Sequence, residues 1–434
     1  MDLPLTAGWR CAVCGATVDI AEPLVWRCPN SVGDDRHHSL ELVQASAPLR
    51  PTEHANPYLA FRRHLAWDGF AAALGLTDAA REAIVRDLDD RVATVAGTGF
   101  RTTPFARADA LSDALGFAAD GGVWVKDETH NVAGSHKARH LFTILLHLVT
   151  TEVAGRAPWA TEADRPPLAI ASCGNAALAA STLAAAVRWP IRVFVPPTAS
   201  PAVLARLGEL GAQVVTCPRV PTDPPGDPCV HRFREAVAGG AVPFGVQGPE
   251  NAWCLDGGRT IGWEMAAQWG AVGDVAPLDR VFVQVGGGAF AACLSAGLRE
   301  GGVTSALHAV QTRSCAPLER AWQRSFDVGG PGSVAAHWSE CMWPWEHVGE
   351  SVADGILDDE TYDWIPIVRA MAAAHGSPVV ADEEHVVQAA EMLPRLTGID
   401  ASPTGTAGLA GLLAVRDQLG ADERVAIVAS GIRR

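Results

Sequence analysis

Val123-Trp-Val-Lys126-Asp-Glu-Thr-His-Asn131-Val-Ala-Gly134-Ser135-His136-Lys137-Ala-Arg139-His140 passes from a short apolar run through a polar turn into a helical pattern. Val123 to Lys126 reads as a strand. Ala138 to Thr150 reads as a helix, because Leu141, Ile144, Leu145 and Leu148 recur on one face. A strand, a tight turn and a helix make the repeating unit of a parallel sheet covered on both faces. The stretch also carries the only two lysines of the chain, against thirty-two arginines. A guanidinium stays protonated and cannot attack a carbonyl carbon, whereas a lysine amine can once its pKa is lowered. Lys126 lies on the strand and reads as structural. Lys137 opens the helix, next to exposed amides and the positive end of the helix dipole, which favours an unprotonated amine suited to a Schiff base.

The same alternation extends outward. Thr77 or Asp78 caps a helix reaching Leu88. Leu168–Ser172, Ile191–Val195, Gln213–Thr216, Arg280–Val285, Leu307–Gln311 and Val425–Ser430 read as strands. Alanine-rich or amphipathic helices follow several of them. The expected fold is α/β, two-lobed, with mostly parallel twisted sheets and helices on both faces. Residues 138–245 form the smaller lobe, 51–137 with 246–434 the larger, and 1–50 a Cys-containing appendix.

Composition narrows the function. The 434 residues are 48% apolar with a formal net charge of −15, which argues against a general nucleic-acid or anionic-membrane binder. Eighteen consecutive apolar residues occur nowhere, and the first ten residues lack a basic-then-apolar leader, so a cytoplasmic protein is expected. Ten scattered cysteines suggest reduced thiols.

Two further turns complete a ligand. Ser172-Cys173-Gly174-Asn175-Ala176 stands between a strand and a helix, where first-turn amides and a hydroxyl suit a carboxylate. Gly286-Gly287-Gly288-Ala289 follows a strand, and its glycines let backbone amides surround a phosphate. The spacing Gly286, Gly288, Ala291 also satisfies a dinucleotide pattern, but the stretch about twenty residues on, Thr304–Val310, contains no acidic residue to take a ribose. An amine, a carboxylate cradle and a phosphate cradle together describe pyridoxal phosphate with an amino-acid substrate.

On these motifs the chain resembles the fold-type-II pyridoxal-phosphate enzymes, the tryptophan-synthase-β-like group that includes threonine synthase and the serine/threonine dehydratases. Gly134-Ser135-His136-Lys137-Ala-Arg139 resembles that group's lysine motif, Ser172–Asn175 its S-S/T-G-N loop and Gly286–Ala289 its glycine loop. Ala353-Asp354-Gly355, Val380–Val386 and Pro403–Ala407 extend the likeness from about residue 98 onward. The resemblance implies that Lys137 forms the Schiff base and moves the Cα proton. It implies that Asn175 contacts the pyridoxal 3′-oxygen, and that Ser172, Cys173, Gly174, Asn175 and Ala176 bind the substrate carboxylate. Gly286, Gly287, Gly288 and Ala289 would hold the phosphate, and Ser430 the pyridine nitrogen. The chain departs from the pattern at Cys173 (usually Ser or Thr), His136 (an aromatic), His140 (Gly) and Gln311 (a cation-ligating Glu in several dehydratases).

The expected activity is a lyase reaction, α,β-elimination from an amino acid giving a 2-keto acid and ammonia. The alternative is a threonine synthase-like or β-replacement reaction on a phosphorylated or activated amino acid, for which Arg139, His136 and His140 are candidate cations. A homodimer is the expected assembly. Cys11, Cys14 and Cys28, with His37 or His38, form either a zinc ribbon or an ordered arm without metal. Threonine-synthase-like proteins often carry such a segment. Trp338, Trp343, Trp345 and Trp364 form either a local core or interface, or a lid over a large substrate.

Overall fold

The computed structural model describes residues 5–33, 35–271 and 277–434. The chain divides into two compact units. One comprises the residues up to Arg101, with Asn131–Ala133 and Lys137–Gly258; the other comprises Thr102–His130, Gly134–His136 and Arg259–Arg434. Several helices begin at a side-chain cap. Asn56, Thr77, Asp227 and Ser402 each accept a first-turn amide with a side-chain oxygen, and left-handed Gly97 stops the helix Asp78–Ala96.

The first unit holds two sheets. The N-terminal one is antiparallel, with Thr6–Cys11 between Thr17–Asp19 and Leu40–Gln44. The other is parallel, in the order Gln213–Thr216, Ile191–Val195, Leu168–Ala171, Val242–Pro243. Through its middle runs the helix Lys137–Val153, packed against the helices Ala66–Ala73, Asp78–Ala96 and Asn175–Ala186. It is buried nearly all round and not on one face only. The polar stripe His140, Thr143, His147, Thr150 lies in the interior because each position is matched. Thr143 Oγ1 donates to the Trp253 carbonyl at 2.9 Å, and Trp67 Nε1 donates to Thr150 Oγ1 at 2.8 Å. Residues 51–101 fall in this unit, where the helices at 66–73 and 78–96 pack on the central helix.

The second unit is built on a six-stranded sheet, ordered Ser377–Ala381, Ala306–Thr312, Arg280–Gln284, Arg424–Ala429, Gly122–Asp127, Phe105–Arg107. All neighbours are parallel except the last pair. Val125, Phe282, Val310 and Ile427 pack with Leu409 and Leu412 of the helix Pro403–Val415 in one apolar cluster. The strands therefore read as continuous apolar runs, as sheets covered on both sides do. Among the described residues, no helix is long and apolar enough to cross a membrane.

Candidate active site

The two lysines have opposite surroundings. Lys126 is fully buried, and its Nζ donates to Glu264 Oε2 at 2.6 Å, the Thr103 carbonyl at 2.7 Å and Gln268 Oε1 at 3.3 Å. An amine committed to three buried acceptors, one of them a carboxylate, reads as a structural cation and not as a nucleophile. Lys137 is half-buried and is the first residue of its helix. The turn before it is strained: Ala133 takes φ +54° and Gly134 φ +67°, both left-handed.

In the second unit, that turn is stitched to the C-terminal strand end. Ser135 bridges Gly431, and Ile432 N donates to the Gly134 carbonyl at 2.8 Å. His136 N meets the Ser430 carbonyl at 3.1 Å, its Nδ1 lies 3.0 Å from the same oxygen, and its ring stacks 4.1 Å from Phe290. His136 thus serves as a packed aromatic. The position of the backbone immediately before Lys137 is fixed by Ser430 and by the helix after the glycine turn.

The glycine turn takes no side chains. A Cβ at Gly286 would strike the Asp358 carboxylate; at Gly287 it would lie 3.0 Å from the Tyr362 ring, and at Gly288 2.9 Å from the Thr361 methyl. Gly288 has φ +97° and caps the helix Ala289–Glu300 with no side-chain hydrogen bond. That helix start therefore keeps its first-turn amides for an anion. Ser430 Oγ accepts a 2.6 Å hydrogen bond from Gln284 Nε2. The amide orientation follows from its other neighbours, the carbonyls of Gly405 at 3.0 Å and Val428 at 3.2 Å, which only an N–H can serve; its two hydrogens are shared among the three acceptors, of which the hydroxyl is nearest. With its lone pair engaged, the hydroxyl has its proton to give to an acceptor such as a neutral ring nitrogen. Gln284 went unnoticed in the sequence; a lone polar residue ending an apolar strand was its signal.

In the first unit, Ser172 follows the strand Leu168–Ala171, and Asn175 opens a helix whose cap residue, Gly174, likewise lacks a side-chain hydrogen bond. Ser172 Oγ lies 3.4 Å from Gly174 N, and Cys173 is exposed. One turn after Lys137, His140 is fully buried with Nδ1 2.9 Å from the Cys254 carbonyl. Burial, and then the positive charges of Lys137 and Arg139, push its pKa down to about 3. His140 is a neutral donor and adds no positive charge.

Gln311 spends its oxygen on a helix start, accepting from Leu318 N at 2.9 Å and Glu319 N at 3.3 Å. Trp338 and Trp364 pack edge to face at 5.6 Å in the interior, while Trp343 and Trp345 clamp Arg320, whose guanidinium carbon lies 3.8 Å and 5.0 Å from their ring centres. Cys11, Cys14 and Cys28 come together with His38, and not with His37.

In the second unit, the residues present fit the phosphate and ring of pyridoxal phosphate: a side-chain-free glycine turn before an uncapped helix, and a hydroxyl beside Gln284. In the first unit, Lys137 offers an amine at a helix start. The family comparison agrees. Residues 97–431 match the model of the pyridoxal-phosphate dependent enzyme family, and the chain belongs to that family. It is 25% identical over 345 residues to threonine synthase of Methanosarcina acetivorans, covering 76% of this chain and 74% of that one. Among solved structures, the processed form of threonine deaminase isoform 2 from Solanum lycopersicum aligns with TM-score 0.59 and 17% identity over 83% of this chain and 91% of that one. Diaminopropionate ammonia lyase from Escherichia coli, solved with an aminoacrylate-PLP azomethine intermediate, aligns with TM-score 0.60 and 16% identity, covering 81% and 88%.

Proposed function

We propose that the protein is a pyridoxal-phosphate-dependent lyase that eliminates a β-substituent from a small amino acid, leaving a 2-keto acid and ammonia. Bound pyridoxal phosphate supplies the electron sink that acidifies the substrate Cα. Lys137 holds the cofactor through its amine and, once released by the substrate, moves the Cα proton at Nζ. Gly286, Gly287, Gly288 and Ala289 bind the phosphate through backbone amides, and Asn175 contacts the 3′-oxygen. Ser172, Cys173, Gly174, Asn175 and Ala176 orient the substrate carboxylate.

The observation that carries elimination is Ser430. Its hydroxyl, held by Gln284 at 2.6 Å, is a neutral partner for the ring nitrogen. A neutral partner leaves that nitrogen largely unprotonated and the sink moderate, which suits a carbanion that quickly expels a leaving group. The second reading, threonine synthesis from a phosphorylated amino acid, has the Methanosarcina acetivorans relative in its favour. It needs extra cations, and the neutrality of His140 removes one of those proposed. Incubation with serine, threonine and O-phosphohomoserine separates the two. Keto acid from serine or threonine supports elimination, and threonine with free phosphate from O-phosphohomoserine overturns it. We further propose a homodimer, to be read by light scattering, and zinc as a second bound group at the N-terminal cysteines.

A further inference from the structure

The strand Thr6–Cys11 ends on a cysteine paired in register with Leu40, so His38, just before the strand Leu40–Gln44, is delivered to the same end of the sheet. Cys14 comes from the turn after Cys11, and Cys28 from the loop between. One ligand atom from each of Cys11, Cys14, Cys28 and His38 lies within 4.8 Å of the others. Cys14 Sγ is 3.5 Å from Cys28 Sγ, and Cys11 Sγ is 3.3 Å from His38 Nδ1. Zinc–sulfur bonds of about 2.3 Å give tetrahedral edges of about 3.8 Å, so little movement closes the site. The surroundings are those of ligands. His38 Nε2 lies 3.3 Å from Asp35 Oδ2, which fixes the tautomer that turns a bare Nδ1 towards the sulfurs. Asn30 Nδ2 and Cys14 N donate to Cys14 Sγ and Cys11 Sγ at 3.4 and 3.5 Å.

The loop that Cys14 and Cys28 close is the part that meets the lysine helix. Leu24, at a left-handed φ of +60°, donates its amide to His147 Nε2 at 3.0 Å. Trp253 Nε1 donates to the Val25 carbonyl at 3.2 Å, and Ala252 N to the Trp26 carbonyl at 2.8 Å. Arg36 grips Glu250 at 2.9 Å. The segment so held in turn accepts from the lysine helix, through the Trp253 carbonyl to Thr143 at 2.9 Å and the Cys254 carbonyl beside His140 Nδ1 at 2.9 Å. Residues 140, 143 and 147 form one stripe of the helix that Lys137 begins.

We propose that Cys11, Cys14, Cys28 and His38 hold one Zn²⁺, and that this ion locks the 24–26 turn and the 250–254 segment onto the His140–Thr143–His147 stripe, positioning the lysine helix. The proposal rests on the zinc reading above and adds the role. No zinc chemistry enters the reaction; the site is closed, with four protein ligands. A strained, left-handed Leu24 needs such closure, because a free loop would relax away from His147.

The test uses the full chain with pyridoxal phosphate bound. Metal analysis gives about one zinc per chain, and cobalt replacement gives the visible bands of a tetrahedral thiolate site. Alkylation of the loaded protein modifies exposed Cys173 and spares Cys14, and chelation makes Cys14 react. Metal removal by chelation, or by Cys14→Ser, raises amide exchange at 140–148 and 250–257 at least about tenfold while the strands at 280–284 and 424–429 stay protected. His38→Cys keeps both metal and protection. Where Cys14→Ser fails to fold, chelation of the folded wild type gives the same reading. Less than about 0.1 zinc per chain with no cobalt bands overturns the metal site. Full zinc with unchanged exchange at 140–148 after chelation overturns the positioning role alone. Neither result touches the cofactor reading, which borohydride labelling of Lys137 reads separately.

Discussion

Lys126 and Lys137 show how far one side chain's surroundings decide its use. Lys126 donates three hydrogen bonds from a fully buried site, one of them to Glu264. Truncating it removes the ammonium 2.6 Å from buried Glu264, so Lys126→Ala should cost about 3–5 kcal/mol by urea unfolding, and Lys126→Met, which keeps the volume, no less than Glu264→Ala. A loss under about 1 kcal/mol in Lys126→Ala would show that the pair is not structural. Ser430 makes a second prediction. Ser430→Ala removes the hydroxyl that Gln284 orients, and cofactor affinity should fall about tenfold, the value of one buried hydrogen bond. Unchanged affinity and turnover would remove Ser430 from the site. The sequence made Lys137, Ser430 and the glycines visible because each sits at the end of an element. It left Gln284 unseen because its partner is 146 residues away in the chain. The choice between His37 and His38 stayed open for a similar reason: strand register settles it, and spacing does not.

Elements carry the acid sensitivity. His140 and His147 lie fully buried on the lysine helix, and burial pushes each pKa from an ordinary 6.5 down to about 3. Both are neutral in the fold and free to protonate once unfolded. Below pH 6.5 the unfolded chain binds more protons, so stability present at neutral pH is lost as pH falls from 6.5 towards 3. Each histidine should remove about 2 kcal/mol at pH 5 relative to pH 7. Urea midpoints measured across that range should fall, and His147→Gln, which keeps an acceptor for Leu24 N, should flatten the fall. A fall of the same size in that variant would assign the acid sensitivity elsewhere. The glycine turn gives a related test. At Gly288 a methyl group meets Thr361 at 2.9 Å, and φ is +97°. Gly288→Ala should cost at least about 1–2 kcal/mol and weaken phosphate binding. The central strands of the two parallel sheets and the helices that begin at Asp78, Lys137, Asn175 and Ala289 were legible from their periodicity. The three strands of the N-terminal sheet were not, nor was Ser377–Ala381, a short sheet-edge strand that contains a proline. The stripe at 140, 143 and 147 carries polar side chains, which hydrophobic periodicity does not mark as packed, and its partners at 24–26 and 252–254 are distant in sequence.

Across the whole molecule, lysine has been replaced by arginine at all but two positions, and the formal net charge is −15. An anionic cofactor is therefore not gathered by a field of surface amines. In the proposed reading, uncapped helix starts and side-chain-free turns hold it locally, while guanidinium groups on the surface pair with carboxylates, as Arg86 does with Glu82 and Arg91 with Asp87. Amine chemistry on the folded chain then has few targets, because Lys126 is fully buried and Lys137 is half-buried. Acetylation of the native protein without cofactor should modify the α-amine and Lys137, leave Lys126 untouched, and reach Lys126 only in urea. Saturation with pyridoxal phosphate should slow the Lys137 reaction more than about tenfold, and borohydride should then fix one pyridoxyl group per chain on the peptide containing Lys137. Labelling of Lys126 in the native protein would contradict its burial. Unprotected Lys137 in the presence of saturating cofactor would remove the amine on which the proposed chemistry depends, whatever the fold.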